Sequence, residues 1–169
     1  SAGSFQMTAS GNDGFAMLGH GGQSTMGDHR GNITVTTADD LTFDRIVAQV
    51  DDIGNDRSNV GTGAFVQLGH GGRLYNGGST GDILLSIGGD VSFIAGRGEA
   101  YALLGHGGRG ELTTVAGTHS GNITLQGLSA GTPTGGDVTF RSGFGIANLA
   151  FSQLGHGGFQ MNADPVLGT

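Results

Sequence analysis

The chain has 169 residues, which suits one domain or a compact array of repeats, and 37 of them are Gly, 2 are Pro and none is Cys. With 36% apolar residues in short clusters and no Gly-X-Y period, it reads as neither disordered nor collagen-like, and it has no disulfide or thiolate metal site. Its 7 basic residues, all Arg, stand against 14 acidic ones, and this net charge of −7 argues against nucleic acid or an anionic membrane as partner.

The opening SAGSFQMTAS lacks the basic region and apolar core of a signal peptide, so an exported protein would carry its signal upstream. No apolar run reaches the roughly 20 residues of a membrane-spanning helix, so no membrane insertion is expected. The first distinctive string is GFAMLGHGG at 14–22, followed by GNITV at 31–35 and DLTF at 40–43. A long polar insert fills 44–63, within which RIVAQV at 45–50 reads as a short helix. The same order then returns: AFVQLGHGG at 64–72, GDILL at 81–85, DVSF at 90–93 and AYALLGHGG at 100–108. A third pass supplies GNITL at 121–125, DVTF at 137–140 and AFSQLGHGG at 150–158. The close GFQMNAD at 158–164 echoes SFQMTAS at 4–10, so the chain starts and stops at one point of the repeat.

Self-similarity of this kind sets the architecture before any residue-level argument. Apolar residues alternate with polar ones at Ile33 and Val35, at Ile83, Leu85 and Ile87, and at Ile123 and Leu125. Leu41 and Phe43, Val91 and Phe93, and Val138 and Phe140 do the same around Thr or Ser. Period two marks strands with one buried face. Three strands of four to six residues cannot bury that face alone, so successive units must stack with like strands in register. The expected fold is all-β: a parallel β-solenoid of Gly-rich repeats with variable corner loops, forming one domain over 1–169. Gly supplies the positive-φ corners, and Asn32, Asp82, Asp90, Asn122 and Asp137 suit turns because their side chains bond nearby amides.

The motif histidines are His20, His70, His106 and His156, separated by 50, 36 and 50 residues. Stacked units would pile these imidazoles into a column, where a neutral ring donates from one nitrogen and accepts at the other, joining neighbouring units. Two other chemistries compete. Histidine is the commonest metal ligand, yet no Cys or acidic residue keeps a fixed offset to the motif, and zinc wants three or four converging ligands. Catalysis wants a single site, whereas these four settings are near-identical and no nucleophile recurs with them. The expectation is therefore a structural ladder, with no catalytic, cofactor-binding or metal-ligating residue and no cofactor. His29 and His119, in GDHRGN and GTHSGN, fit turns. Phe15, Phe65, Tyr101 and Phe151 share one offset and form a second rank of the ladder. Alternation puts Phe65 and Gln67 on the face away from Ala64, Val66 and Leu68, to be covered by a loop or exposed as a contact surface, and an exposed aromatic row could hold sugars.

Weaker signals add little. Asn32-Ile-Thr34 and Asn122-Ile-Thr124 match the N-glycosylation pattern but sit at strand starts. Acidic pairs at 39–40 and 51–52 read as solvated turn charges, because the calcium-roll nonapeptide is missing. Thr34 and Thr36 are the only clear Thr-x-Thr pair, too few for an ice-binding rank.

From Phe15 to Gly158, strings such as GNITV, GGDVTF and aromatic-x-Gln-Leu-Gly-His-Gly-Gly resemble the repeats of large bacterial filamentous-haemagglutinin-like surface proteins. Two copies, at 65–72 and 151–158, keep Gln before Leu, while the others have Met17 or Leu103. The resemblance implies a right-handed β-solenoid at the cell surface or beyond, acting in adhesion or fibre formation, and it supplies no catalytic residues. Members of that family are far longer, which leaves a fragment or the repeating part of a polymer. The expected role is thus a structural subunit or segment of an extracellular bacterial fibre or adhesin. Its partner would be itself, stacked head to tail through open ends, with surface glycans as a second partner class. The alternatives are a polysaccharide-binding or polysaccharide-cleaving β-helix, and a metal-binding histidine column. Cleavage would need converging carboxylates, and the only two Glu, Glu99 and Glu111, do not recur.

Overall fold

The computed structural model describes residues 3–11, 13–45, 63–96, 99–110, 117–142, 150–159 and 167–168. Among them it contains strands and no helix. The chain makes four successive passes, here called levels. Level 1 holds β1 (Phe5–Ala9), β2 (Phe15–Leu18), β3 (Gly21–Gln23), β4 (His29–Arg30) and β5 (Ile33–Thr37). Level 2 holds β6 (Leu41–Arg45), β7 (Phe65–Leu68), β8 (Gly71–Arg73), β9 (Ser79–Thr80) and β10 (Ile83–Ile87). Level 3 holds β11 (Val91–Ile94), β12 (Tyr101–Leu104), β13 (Gly107–Arg109), β14 (His119–Gly121) and β15 (Ile123–Gln126). Level 4 holds β16 (Val138–Arg141), β17 (Phe151–Leu154), β18 (Gly157–Phe159) and β19 (Leu167–Gly168).

Like strands of the four levels pair in parallel, giving five sheets in the orders β1-β6-β11-β16, β2-β7-β12-β17, β3-β8-β13-β18, β4-β9-β14-β19 and β5-β10-β15. The protein is therefore all-β, built of parallel strands stacked level on level. Register follows the repeat without slippage: Phe15, Phe65, Tyr101 and Phe151 are paired, as are Phe43, Phe93 and Phe140. The insert over 46–62, including most of the expected helix at 45–50 and the acidic pair at 51–52, lies outside the described residues. Arg45 ends β6 as strand.

One core fills the space between the sheets. Leu41, Phe43, Val66, Leu68, Leu85, Val91, Phe93 and Leu104 are all fully buried in it. Strand burial follows the period-two reading: β6 alternates buried and half-buried residues along its whole length. The second sheet departs from that pattern, because β7 and β12 are buried at every position. Its far face carries a separate cluster of Phe65, Tyr101 and Leu103 with Met17 and Phe151 packed against it. Gly22 shows what lies there, since a β-carbon on it would stand 3.3 Å from the Phe15 ring. The Gly-Gly strand folds back over the aromatic rank. That resolves the choice left by the alternation of Phe65 and Gln67: both are covered.

Two ranks of Asx side chains tie the levels together at the surface. Asp82 and Asn122 amides donate to the Oδ1 of Asn32 and Asp82, both at 2.9 Å. Asp90 and Asp137 amides donate likewise to Asp40 and Asp90, at 2.9 and 2.8 Å. Asn32, Asp40, Asp82 and Asp90 thus bond the next level, where local turn bonding was expected from the sequence for Asn32, Asp82 and Asp90. The first rank alternates amide, carboxylate, amide, whereas the second stacks three carboxylates one strand spacing, about 4.8 Å, apart. Asp90→Asn keeps the acceptor oxygen and removes the central charge. It should stabilise the chain in low salt by a few tenths of a kcal/mol to about 1 kcal/mol, measured by thermal unfolding, with the gain shrinking in 1 M NaCl.

Candidate functional site

The Leu-Gly-His-Gly-Gly motif closes a strand and turns the chain, and its geometry is the same at every level. The four imidazoles lie in one column, with neighbouring ring centroids 4.9 Å apart for His20–His70 and His70–His106 and 4.8 Å for His106–His156. Interplanar angles are 18°, 7° and 4°. His70 and His106 are buried, while His20 at the level-1 end is exposed and His156 is half-buried.

Hydrogen-bond accounting fixes the ring state. The amide of His20 donates to Nδ1 of His70 at 2.9 Å, that of His70 to His106 at 3.0 Å, and that of His106 to His156 at 3.1 Å. An Nδ1 that accepts carries no proton, so the neutral ring holds its proton on Nε2. Nε2 then donates to a glycine carbonyl of the level before: His70 to Gly31 and His106 to Gly81 at 2.8 Å, His156 to Gly121 at 3.0 Å. Both nitrogens of each inner ring are engaged. Burial lowers the pKa of His70 and, to about 4, that of His106, and the neighbouring imidazoles push the same way. The ladder requires the neutral form, because a proton on Nδ1 would face the amide proton it should accept.

The glycines around each histidine are dictated by the stack. Gly19, Gly69 and Gly105 have φ of 151°, 144° and 146°, and a methyl on any of them would collide with the carbonyl oxygen of Gly69, Gly105 or Gly155 one level on. Gly21, Gly71 and Gly107 are barred in the same way. Only a residue without a β-carbon lets two levels approach to hydrogen-bonding distance here. The aromatic rank repeats the spacing: Phe15–Phe65, Phe65–Tyr101 and Tyr101–Phe151 centroids are 5.1, 4.7 and 5.0 Å apart and within 6° of parallel. Phe43–Phe93 and Phe93–Phe140, at 4.9 and 5.1 Å, form a second such rank in the main core. Offset pairs of this kind contribute about 0.5–1.5 kcal/mol each beyond area burial.

Two contributors went unrecognised in the sequence. Gln67 lies buried on the covered face, and its Nε2 stands 3.2 Å from the carbonyls of His70, Gly105 and Gly107, bracing the turn; Gln153 does the same for His156. The signal was present in only two of four copies, with Met17 and Leu103 in the other two, and so read as variation. His29 and His119 are not turn residues. They sit in register with Ser79 in the short strands β4, β9 and β14, and His119 is fully buried. Where Ser79 leaves room, the Tyr75 ring enters instead, stacked 5.1 Å from His29 and tilted 6.1 Å from His119.

No metal-holding cluster accompanies the ladder among the described residues. No three His, Asp or Glu side chains there are placed to hold an ion. Parallel rings in a column aim their nitrogens at successive backbones and do not converge. Glu99 is committed to Arg109 at 2.6 Å, which holds its carboxyl below the usual range, and Glu111 lies outside the described residues. No family model, curated protein or solved structure matches this chain.

Proposed function

We propose that the chain is a structural element: a right-handed parallel β-solenoid that forms part of an extracellular bacterial fibre or adhesive surface and performs no catalysis. The observation that carries this reading is the use of the distinctive side chains. The imidazoles, aromatic rings, Asx carboxyl and amide groups and Gln67 all bond or stack between levels. A repeat whose recurring polar groups hold it to its own neighbours is a building unit, and solenoids of this kind grow by adding like levels. Exposure rises at both ends of the stack, with Phe15 at 47% and Leu154 at 53% against 0% for Phe65, Leu68 and Leu104, which invites further levels there. Negative-stain electron microscopy of the purified chain at neutral pH is expected to show unbranched fibres. Monomers alone, at every concentration up to the solubility limit, would overturn self-assembly.

A second reading rests on the outer face of the β5-β10-β15 sheet. There Asn32, Thr34, Asp82, Leu84, Asn122 and Thr124 line an open groove of about 310 Å³. Its hydroxyl, amide and carboxylate groups could hydrogen-bond a surface glycan, while its lack of an aromatic platform weakens the case. A glycan pull-down with and without Asp82→Ala tests it, and equal retention by both proteins would dismiss the groove.

A further inference from the structure

The imidazole ladder has a direction, and its two ends are complementary. Each ring takes both of its hydrogen bonds from the level before: an amide N–H into Nδ1, and a glycine carbonyl that accepts from Nε2. His20, on level 1, lacks both contacts among the described residues. At the opposite end the matching pair has no partner among the described residues. The His156 amide has the place in the ladder that His20, His70 and His106 use to donate onward. Gly168 pairs in register with Gly121, so its carbonyl takes the place of the Gly31, Gly81 and Gly121 acceptors.

The glycines point the same way. A methyl on Gly81 or Gly121 would collide with the carbonyl of the level before, and one on Gly69 or Gly105 with that of the level after. Among the described residues, their end equivalents Gly31 and Gly155 meet nothing but a single side-chain atom of Gln153, at 4.0 Å from Gly155. Both keep the positive φ of the inner levels, 141° and 129°.

Resting on the structural reading above, we propose that a second copy of this chain seats its level 1 on level 4 of the first, with His20 of the second copy as the next rung. The His156 amide donates to its Nδ1, and its Nε2 donates to the Gly168 carbonyl. Phe15 of the second copy stacks on Phe151, its Phe5 and Met7 take the register places opposite Val138 and Phe140, and its β1 to β4 extend four of the five sheets. The pairing is obligatorily head to tail. Two level-1 ends would confront imidazoles that both need an amide and a carbonyl, and two level-4 ends would bring together no imidazole to join the His156 amide to the Gly168 carbonyl. Like ends would also have to pair antiparallel, against the ladder of every sheet.

The test uses one blocked end at a time. Gly155→Ala places a methyl where the next level's Gly19 carbonyl must lie, and Gly31→Ala places one where the Gly168 carbonyl must lie. Neither meets an atom of the described residues closely enough to prevent folding, which circular dichroism verifies, and His20→Ala is the second variant for the level-1 end. In sedimentation velocity the wild-type chain is expected to form concentration-dependent polymers, and each variant alone to remain a monomer. An equimolar mixture of Gly155→Ala with Gly31→Ala or His20→Ala should give a species of twice the monomer mass and no larger. Polymers from either variant alone, or a mixture that stays monomeric while the wild type polymerises, would overturn this junction and leave fibre formation by another contact standing. A wild-type chain that stays monomeric would overturn both.

Discussion

Gly105→Ala should prevent levels 3 and 4 from stacking, or destabilise the chain by at least about 4 kcal/mol, while Gly155→Ala, one level on, loses only about 1–3 kcal/mol. The two positions share sequence context and a positive φ, 146° and 129°, so the backbone strain of an L-residue is common to both. They differ in what the new methyl meets. At Gly105 it would strike the carbonyl oxygen of Gly155 on the adjacent level, and at Gly155 the space is open. Relief at Gly105 would require levels 3 and 4 to separate, breaking the His106–His156 bond and the Tyr101–Phe151 stack together. A chain of this size shifts its melting temperature by about 2–4 °C per kcal/mol, so thermal unfolding followed by circular dichroism separates the two variants. Equal losses would show that φ alone, and not the close approach of levels, demands glycine.

Lowering the pH from 7.5 should destabilise the protein steeply between about 6.5 and about 4. The folded pKa values of His106 and His119 are lowered to about 4 by burial, whereas an unfolded histidine titrates near 6.5. Between those values the unfolded chain binds protons that the folded chain refuses, so stability falls with pH across that window and levels off below it. With one pKa unit equal to about 1.4 kcal/mol, each of these two groups contributes on the order of 3 kcal/mol across the window. His70 and His29, also lowered, add to the loss in the same direction. Asp44 opposes it, because burial raises its carboxyl. Glu99, held down by the Arg109 hydrogen bond, titrates below the usual carboxylate range and contributes only at still lower pH. Urea midpoints at pH 7.5 and 4.5 measure the effect. Imidazole ¹⁵N shifts should report Nε2–H, Nδ1-bare rings for His70 and His106 at pH 7.5, and for His106 in most of the folded chain at pH 4.5 as well. A flat midpoint would mean that the rings gain their protons without leaving the ladder.

The sequence by itself determined the period of the protein and much of its packing. Strands, their buried faces and their order follow from alternation at Ile33–Val35 or Leu41–Phe43 and from the return of each string, because a short amphipathic strand can hide its apolar face only against a copy of itself. Glycine at 19, 69 and 105 was legible as a corner requirement. Its stronger reason, a carbonyl of the next level lying where a β-carbon would be, emerged only once the levels were stacked. Tertiary structure alone also decided that Phe65 and Gln67 are covered by the Gly-Gly strand, that Tyr75 fills the gap left by Ser79, and that the Asx ranks bond between levels. It decided the tautomer and direction of the ladder as well. A sequence pattern records which side chains share a face, whereas a hydrogen bond depends on donor and acceptor meeting within about 3 Å, and that distance is set by stacking between residues 36 to 50 apart in the chain.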